Sequence, residues 1–313
     1  MVSEEDEPVS PSAPVSPAVE EPPSQAAAAE DVHESVPNEI TSALLNLKLP
    51  PLPNAALRVA ELVRDPNTSA STIADAIGYD PALAARILRA ANSSLYSRER
   101  HVSTLTVAVN MLGARTLYQL AISYAASSLF DRPTRPSVLE SELWRHSVFV
   151  GLAARAITLR FGLHGSEETF LSGLLHDVGK SLMIQHDPKL YAPLAEITND
   201  DDLLAGELAV YGLTHPRASA LVVNHWGLSP DISDAIMHHH NPDDAVHSIL
   251  MCRALSVANK LANSSEFGIT QISMDELEAD ESVYLLDLSG EGLGQIREQA
   301  EESMSEMMYI LSK

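Results

Sequence analysis

Helical periodicity runs through almost the whole chain from residue 39 onward, and it restricts the possible fold more than any other feature. Apolar residues recur at positions i, i+3, i+4 and i+7, whereas alternating runs of β-branched residues are scarce. The first spacing places apolar side chains on one face of a helix, and the second pattern is the one that a strand would need. The sequence therefore predicts an all-α fold.

Capping residues and prolines mark several helix boundaries. Ser69 or Ser71 is predicted to cap one helix. Asp80 is predicted to cap the next, with Pro81 at its first position, which is the favoured place for proline. Gly113 is expected to break a later helix. Further helices are predicted near residues 138–161, 166–178, 188–198, 201–211, 215–226, 230–240, 243–264, 274–285 and 290–311.

Residues 1–38 differ in composition from the rest of the chain and are predicted to form a disordered tail. They contain seven prolines and no aromatic residue. Such a segment cannot bury enough apolar area to offset the entropy lost on ordering. A solubilising tail is the simpler interpretation, and a docking segment is the alternative.

Charge and cysteine content narrow the possible partners and the compartment. The chain has a net charge of −23, and about −13 of it lies outside the first 40 residues. Nucleic-acid binding needs lysine and arginine to replace counterions, so a nucleic-acid partner is not expected. One cysteine, Cys252, cannot form a disulfide within the chain, which predicts a cytoplasmic protein. No apolar run approaches the roughly 20 residues of a membrane span, and no membrane association is expected.

The segment 172–180, Ser-Gly-Leu-Leu-His-Asp-Val-Gly-Lys, carries the most chemical information. An apolar helical turn leads directly into His176 and Asp177. Imidazole nitrogens and carboxylate oxygens are ligands that Zn, Fe or Mn accepts. Two ligands do not hold a metal ion, so further ligands must come from elsewhere in the chain.

Two stretches of the chain together resemble the HDOD family, the HD-related output domain of bacterial signalling proteins. The first contains the Asp-Pro-x-Leu-x-x-x-Ile-Leu-x-x-x-Asn-Ser pattern that begins at Asp80. The second contains His146, the His-Asp pair, and the His-His-Asn-Pro of 239–242. Several separate motifs in the right order make this resemblance specific.

The resemblance implies an architecture and a biological role. Residues 39–264 would form the HDOD domain, with an N-terminal helical subdomain at 39–135 and an HD-like subdomain at 136–264. Residues 265–313 would pack on it as C-terminal helices. HDOD proteins look like regulators without demonstrated catalysis, so other signalling proteins are the expected partners, and a small nucleotide ligand is possible.

The same resemblance implies a candidate metal site for Fe, Mn or Zn. The HD phosphohydrolases would use His146, His176, Asp177 and a late carboxylate as ligands, and Lys180 could contact a substrate phosphate. This chain has Asn259 in place of the late carboxylate. An amide supplies a neutral oxygen instead of an anion, and the loss weakens the expected metal affinity.

Later histidines leave a second interpretation open. His215, His239 and His240 resemble those that the HD-GYP branch adds to build a multi-metal site, although the Gly-Tyr-Pro signature is missing here. In the structural alternative, histidines at a helix end hydrogen-bond the last carbonyl groups. The expectation is therefore a signalling protein that acts by binding. A metal-dependent phosphohydrolase or phosphodiesterase acting on nucleotides or cyclic dinucleotides is the alternative.

Overall fold

The computed structural model describes residues 54–63, 65–93, 101–127, 138–162 and 165–311. All of them belong to one compact unit, Asn38–Lys313. Every regular element within these ranges is a helix, which confirms the predicted all-α fold. The predicted tail at 1–38 lies outside the described residues. No helix in the described ranges has the length and apolar character that crossing a bilayer requires.

Four helices form the N-terminal group, and two of them begin at capping residues predicted from the sequence. The last of them, α4 (Leu105–Ser127), packs against each of the other three. Ser69 accepts a hydrogen bond from Thr72 N, and Asp80 accepts from Ala82 N at 2.9 Å and from Leu83 N at 3.1 Å. The other three are α1 (Asn54–Leu62), α2 (Ala70–Gly78) and α3 (Pro81–Ala91).

Gly113 interrupts α4 as predicted. Its φ of 74° and ψ of 166° are far from helical values, and glycine reaches a positive φ without the steric cost that other residues meet. The two halves of α4 therefore run in different directions, and both contribute buried residues to the core.

Helix α5 (Val138–Arg160) packs against α6 (Ser166–Leu175), α12 (Ile249–Asn263) and α15 (Gly290–Leu311). Helix α15 also contacts α3 and α4, so the C-terminal helix reaches the N-terminal group. A 3-10 turn at Pro242–Asp244 precedes α12. The other helices are α7 (Val178–His186), α8 (Pro188–Ala195), α9 (Asp200–Tyr211), α10 (His215–His225), α11 (Pro230–Met237), α13 (Met274–Glu278) and α14 (Glu281–Leu285).

Two glycine contacts bring helices unusually close around the His-Asp segment. A Cβ atom on Gly173 of α6 would lie 2.5 Å from the Cα of Gly151 of α5. A Cβ on Gly179 of α7 would lie 2.3 Å from the carbonyl oxygen of His215. Real Cβ atoms do not approach other atoms this closely, so only glycine permits α5, α6, α7 and α10 to meet at these distances.

Several predicted helices are shorter than expected. The helix expected at 166–178 ends at Leu175, and α7 was not predicted at all. The helix expected at 230–240 ends at Met237, and the one expected at 274–285 is divided into α13 and α14. The chain turns at each of these points, and two of the turns carry histidines of the candidate site.

Asn92, the two tryptophans and the cysteine have structural roles. The amide of Asn92 donates to the carbonyl groups of Leu88 and Val102 and accepts from Val102 N, so it closes the turn after α3. Trp144 packs against the core and Trp226 is buried. The indole N–H of Trp226 is buried and has no hydrogen-bond partner among the described residues. Burial raises the pKa of the Cys252 thiol to about 12, which makes it unreactive.

Candidate metal centre

The structure brings together all the residues predicted to form the site. His146 comes from the middle of α5, the His-Asp pair joins α6 to α7, and Asn259 comes from α12. The remaining histidines begin α10 or follow α11. We call the full set the histidine centre; it consists of His146, His176, Asp177, Lys180, His215, His239, His240 and Asn259.

The histidine centre is almost completely closed to solvent. His240 is its most exposed member, with a side-chain exposure of 13%, and the others are buried. Lys180 also lines a small apolar cavity of about 30 Å³, together with Leu143, Ile184 and Tyr191. That volume accommodates about one water molecule.

Three imidazole rings of the centre are oriented by backbone carbonyl groups. The Nδ1 atoms of His146, His176 and His239 lie 2.8 Å from Phe267 O, 2.8 Å from Gly173 O and 2.7 Å from Ile236 O. A carbonyl oxygen only accepts, so each Nδ1 carries the proton and donates it. This orients each Nε2 atom toward the interior of the centre.

His239 also satisfies the structural expectation from the sequence. Its bond to Ile236 O satisfies one of the last carbonyl groups of α11, as expected for histidines at a helix end. His176 makes the same bond to Gly173 O at the end of α6. A structural role and a ligand role are therefore compatible, because Nδ1 performs the first and leaves Nε2 for the second.

Two carboxyl groups that the sequence reasoning missed support the other histidines. Oε2 of Glu207 accepts from both the backbone N and the Nδ1 of His215, each at 2.7 Å. Oδ2 of Asp200 lies 3.4 Å from Nδ1 of His240. Carboxylates behind metal-bound histidines fix the tautomer and orientation of the ring. Neither residue belongs to a motif, and both lie on α9, whose contact with the site depends on the tertiary fold.

Asp177 is the point where the two sides of the centre meet. Its Oδ2 atom lies 2.9 Å from Lys180 Nζ, 3.3 Å from His176 Nε2 and 3.7 Å from His146 Nε2. Its Oδ1 atom lies 3.2 Å from His215 Nε2. Burial alone would raise the pKa of Asp177, but His176, Lys180 and His215 outweigh it and hold the pKa well below its ordinary value.

Burial keeps several of the imidazoles neutral. It lowers the pKa of His146 to about 4, with His176 adding to the effect. Burial also lowers the pKa values of His215 and His239 well below the ordinary histidine value. A neutral imidazole is the form that binds a metal ion.

The residues of the centre fit a divalent metal ion. Two sets of side chains place their ligand atoms within 4.8 Å of one another: His146, His176 and Asp177 form the first, and His215, His239 and His240 form the second. Several of these atoms are buried without a hydrogen bond, namely His176 Nε2, Asp177 Oδ1 and His239 Nε2. Buried polar atoms without partners are costly, and a shared metal ion would satisfy them.

Asn259 contacts the centre at His146, which belongs to the first set. Its Oδ1 atom lies 3.0 Å from Nε2 of His146. Nε2 lacks a proton in this tautomer, so a second acceptor there needs either a metal ion between the two atoms or the opposite orientation of the amide. An amide can turn its NH₂ group toward Nε2 and donate, which a carboxylate cannot do.

Comparisons with known proteins agree with this architecture. A provisionally named phosphohydrolase from Shewanella amazonensis SB2B has a structure with a TM-score of 0.68 and 23% identity, covering 88% of this chain and 99% of that one. An HDOD domain protein of unknown function from Geobacter sulfurreducens has a TM-score of 0.64 and 24% identity, covering 87% and 95%. At these identities the likeness shows the fold alone.

A curated relative and a family model extend the comparison to sequence. The relative is an uncharacterized protein of Treponema pallidum (strain Nichols), 23% identical over 196 residues. The match covers 62% of this chain but only 38% of that protein. The model of the HDOD domain matches residues 49–242, which is more than half of the chain. With the helical fold and the histidine centre in place, the chain belongs to the HDOD domain family.

Proposed function

We propose that this protein is a signalling protein that acts by binding other signalling proteins or a small ligand, without turnover of its own. The closed histidine centre is the observation that carries this proposal. Its ligand atoms are buried, and the neighbouring cavity has room for about one water molecule. Catalytic metal sites keep a position open for water or substrate, whereas structural sites are closed.

The charges of the centre support the same proposal. Lys180 is buried, and its ammonium group is bound to Asp177 instead of pointing into a cavity where a phosphate could reach it. Asn259 supplies no negative charge next to His146. The acidic chain favours protein or small-molecule partners over nucleic acid. The single cysteine favours a cytoplasmic location.

A metal-dependent phosphohydrolase is the second candidate, and one observation favours it. Unpartnered Nε2 and Oδ1 atoms converge at Asp177, as they would around a metal ion. Such an ion, when bound, would lower the pKa of a water molecule and polarise a phosphoryl oxygen. Access to it would require the turn that carries His240 to move.

Hydrolysis assays on the full chain test the two candidates. The protein would be incubated with Mn²⁺, Fe²⁺ or Zn²⁺ and with bis-p-nitrophenyl phosphate, nucleoside monophosphates or cyclic di-GMP. The control is the double variant His176→Ala/His215→Ala, which removes a ligand from each set. We expect no turnover above this control. Turnover that the wild type shows and the double variant lacks would overturn the proposal.

A further inference from the structure

The histidine centre offers two places for a metal ion, and the structure distinguishes between them. The first set is His146, His176 and Asp177, with Asn259 next to it. The second set is His215, His239 and His240, with Oδ1 of Asp177 next to it. Asp177 faces each set with a different oxygen atom. The contacts of each oxygen therefore indicate whether the neighbouring set can accept an ion.

The negative charge of the first set is already compensated by the protein, although Nε2 of His176 has no hydrogen bond. Lys180 Nζ lies 2.9 Å from Oδ2 of Asp177, which is the oxygen that faces His146 and His176. A divalent ion bound there would have to share this oxygen with a buried ammonium group of the same sign of charge. Asn259 adds no compensating anion, and its amide can donate to His146 in place of a metal ion.

The second set has unsatisfied ligand atoms. Nε2 of His239 and Oδ1 of Asp177 are buried without a hydrogen bond. Nε2 of His215 lies 3.2 Å from Oδ1 of Asp177 and 3.2 Å from Nε2 of His240. Ligand atoms arranged tetrahedrally at about 2.0–2.1 Å from a zinc ion are about 3.4 Å apart. The spacing therefore suits an ion bound among these atoms.

Two carboxyl groups also lie behind the second set. Glu207 accepts a hydrogen bond from Nδ1 of His215, and Asp200 lies next to Nδ1 of His240. Both carboxyl groups orient a ring so that its Nε2 faces the ion and make that nitrogen a stronger ligand. On the first side, the rings of His146 and His176 rest on neutral backbone carbonyl groups.

We infer that the protein binds one divalent ion through His215, His239, His240 and Oδ1 of Asp177, while the side of His146 and Asn259 stays free of metal. Three imidazoles and one carboxylate select an ion such as Zn²⁺, Fe²⁺ or Co²⁺ over Mg²⁺ or Ca²⁺. The inference deepens the proposed function by assigning ligands to the centre, and it can fail while that function stands.

Metal content and the visible spectrum of the cobalt-loaded protein test the inference. The full chain would be stripped with chelator, loaded with Zn²⁺ or Co²⁺, and dialysed. We expect one equivalent in the wild type and the same in His146→Asn. In His239→Ala and His215→Ala we expect the affinity for the metal ion to fall at least about tenfold. We also expect the visible spectrum of these cobalt-loaded variants to differ from that of the wild type. His176 belongs to the first set, but its ring centroid lies only 5.0 Å from that of His239, so its variants do not discriminate between the sets.

A gain of binding provides a test that misfolding cannot imitate. The double variant Lys180→Met/Asn259→Asp removes the internal ammonium group and restores a carboxylate beside His146. We expect it to bind two equivalents where the wild type binds one, with circular dichroism confirming a helical fold. Failure of this variant to gain a second ion would count against the inference.

Three other results would overturn the inference. The first is two bound equivalents of metal ion in the wild type. The second is a loss of metal affinity in His146→Asn equal to that in His239→Ala. The third is no bound Zn²⁺ or Co²⁺ in the folded wild type. In the last case the proposed binding function would stand, because it does not require an ion. Turnover in the hydrolysis assays would instead overturn the proposed function and leave the ligand assignment intact.

Discussion

Lys180 Nζ lies 2.9 Å from Oδ2 of Asp177, and both side chains are almost completely shielded from water. This ion pair forms within one turn of the chain, because the two residues are three positions apart at the start of α7. Asp177, which would also bind a metal ion, is therefore already paired with the Lys180 ammonium group. The stability of the metal-free protein should depend on that cation.

Replacing Lys180 with methionine should destabilise the metal-free protein strongly. The change leaves Asp177 buried without its nearest positive charge, and breaking a buried pair in this way costs about 3–5 kcal/mol. Urea denaturation in the presence of EDTA would measure the loss. The control is Lys189→Met at an exposed position, expected to change the free energy of unfolding by less than about 0.5 kcal/mol. Equal effects of the two variants would contradict the prediction.

Stability of the metal-free protein should fall as the pH is lowered from about 6.5 to about 4. His146 has a pKa of about 4 in the folded state, against about 6.5 in the unfolded chain. The unfolded chain therefore binds more protons in this range, and the free energy of unfolding must decrease by a few kcal/mol. His215 and His239 act in the same direction, whereas Glu207, whose pKa burial raises to about 8, opposes them in part. The lowered pKa of Asp177 acts only below about pH 4.

Denaturation at several pH values, with EDTA present, would check this dependence. His146→Gln removes one of the titrating groups, so its free energy of unfolding should change less with pH between 6.5 and 4. Parallel pH profiles for the wild type and His146→Gln would show that His146 does not contribute.

Gly179→Ala should destabilise the protein by about 1–3 kcal/mol or more. The new methyl group would lie 2.3 Å from the carbonyl oxygen of His215, so α7 and α10 would have to separate. Gly294→Ala is the matched control, because no atom lies within 4 Å of its Cβ position in α15. That change should stabilise the helix by about 0.5–1 kcal/mol. Thermal unfolding of both variants would show shifts of opposite sign.

Asp80→Ala should cost about 1–2 kcal/mol because it removes the N-cap of α3. Asp80 also accepts a hydrogen bond from the Tyr124 hydroxyl at 3.0 Å, which adds to the loss. Asp80→Asn keeps an oxygen for the cap and should cost much less. If the two variants were equally destabilised in chemical denaturation, the capping interpretation of this residue would be wrong.

The sequence allowed the membership of the histidine centre to be predicted, because the motif residues carry their chemistry in their identity. It did not allow Glu207 and Asp200 to be found. They are acidic residues on α9, and only the packing of the fold brings them behind His215 and His240. Nothing in the local sequence separates them from other acidic residues of that helix.

Helix α7 could not be predicted for a related physical reason. Residues 178–184 are all buried, including Lys180 and Ser181, so the helix has no polar face. Amphipathic periodicity appears only where one side of a helix meets water. The close approach of Gly179 to α10 is likewise invisible in sequence, since a glycine there is equally consistent with a turn.

The bonds from His176 to Gly173 O and from His239 to Ile236 O tie each ring to its own helix end. The direction in which each ring points therefore depends on the number of residues between the ring and its carbonyl group. Each residue of a helix rotates the next side chain by about 100° around the axis. Removing or inserting one residue between a ring and its carbonyl would point the ring out of the centre. Over these two short stretches the chain should therefore accept no change in length.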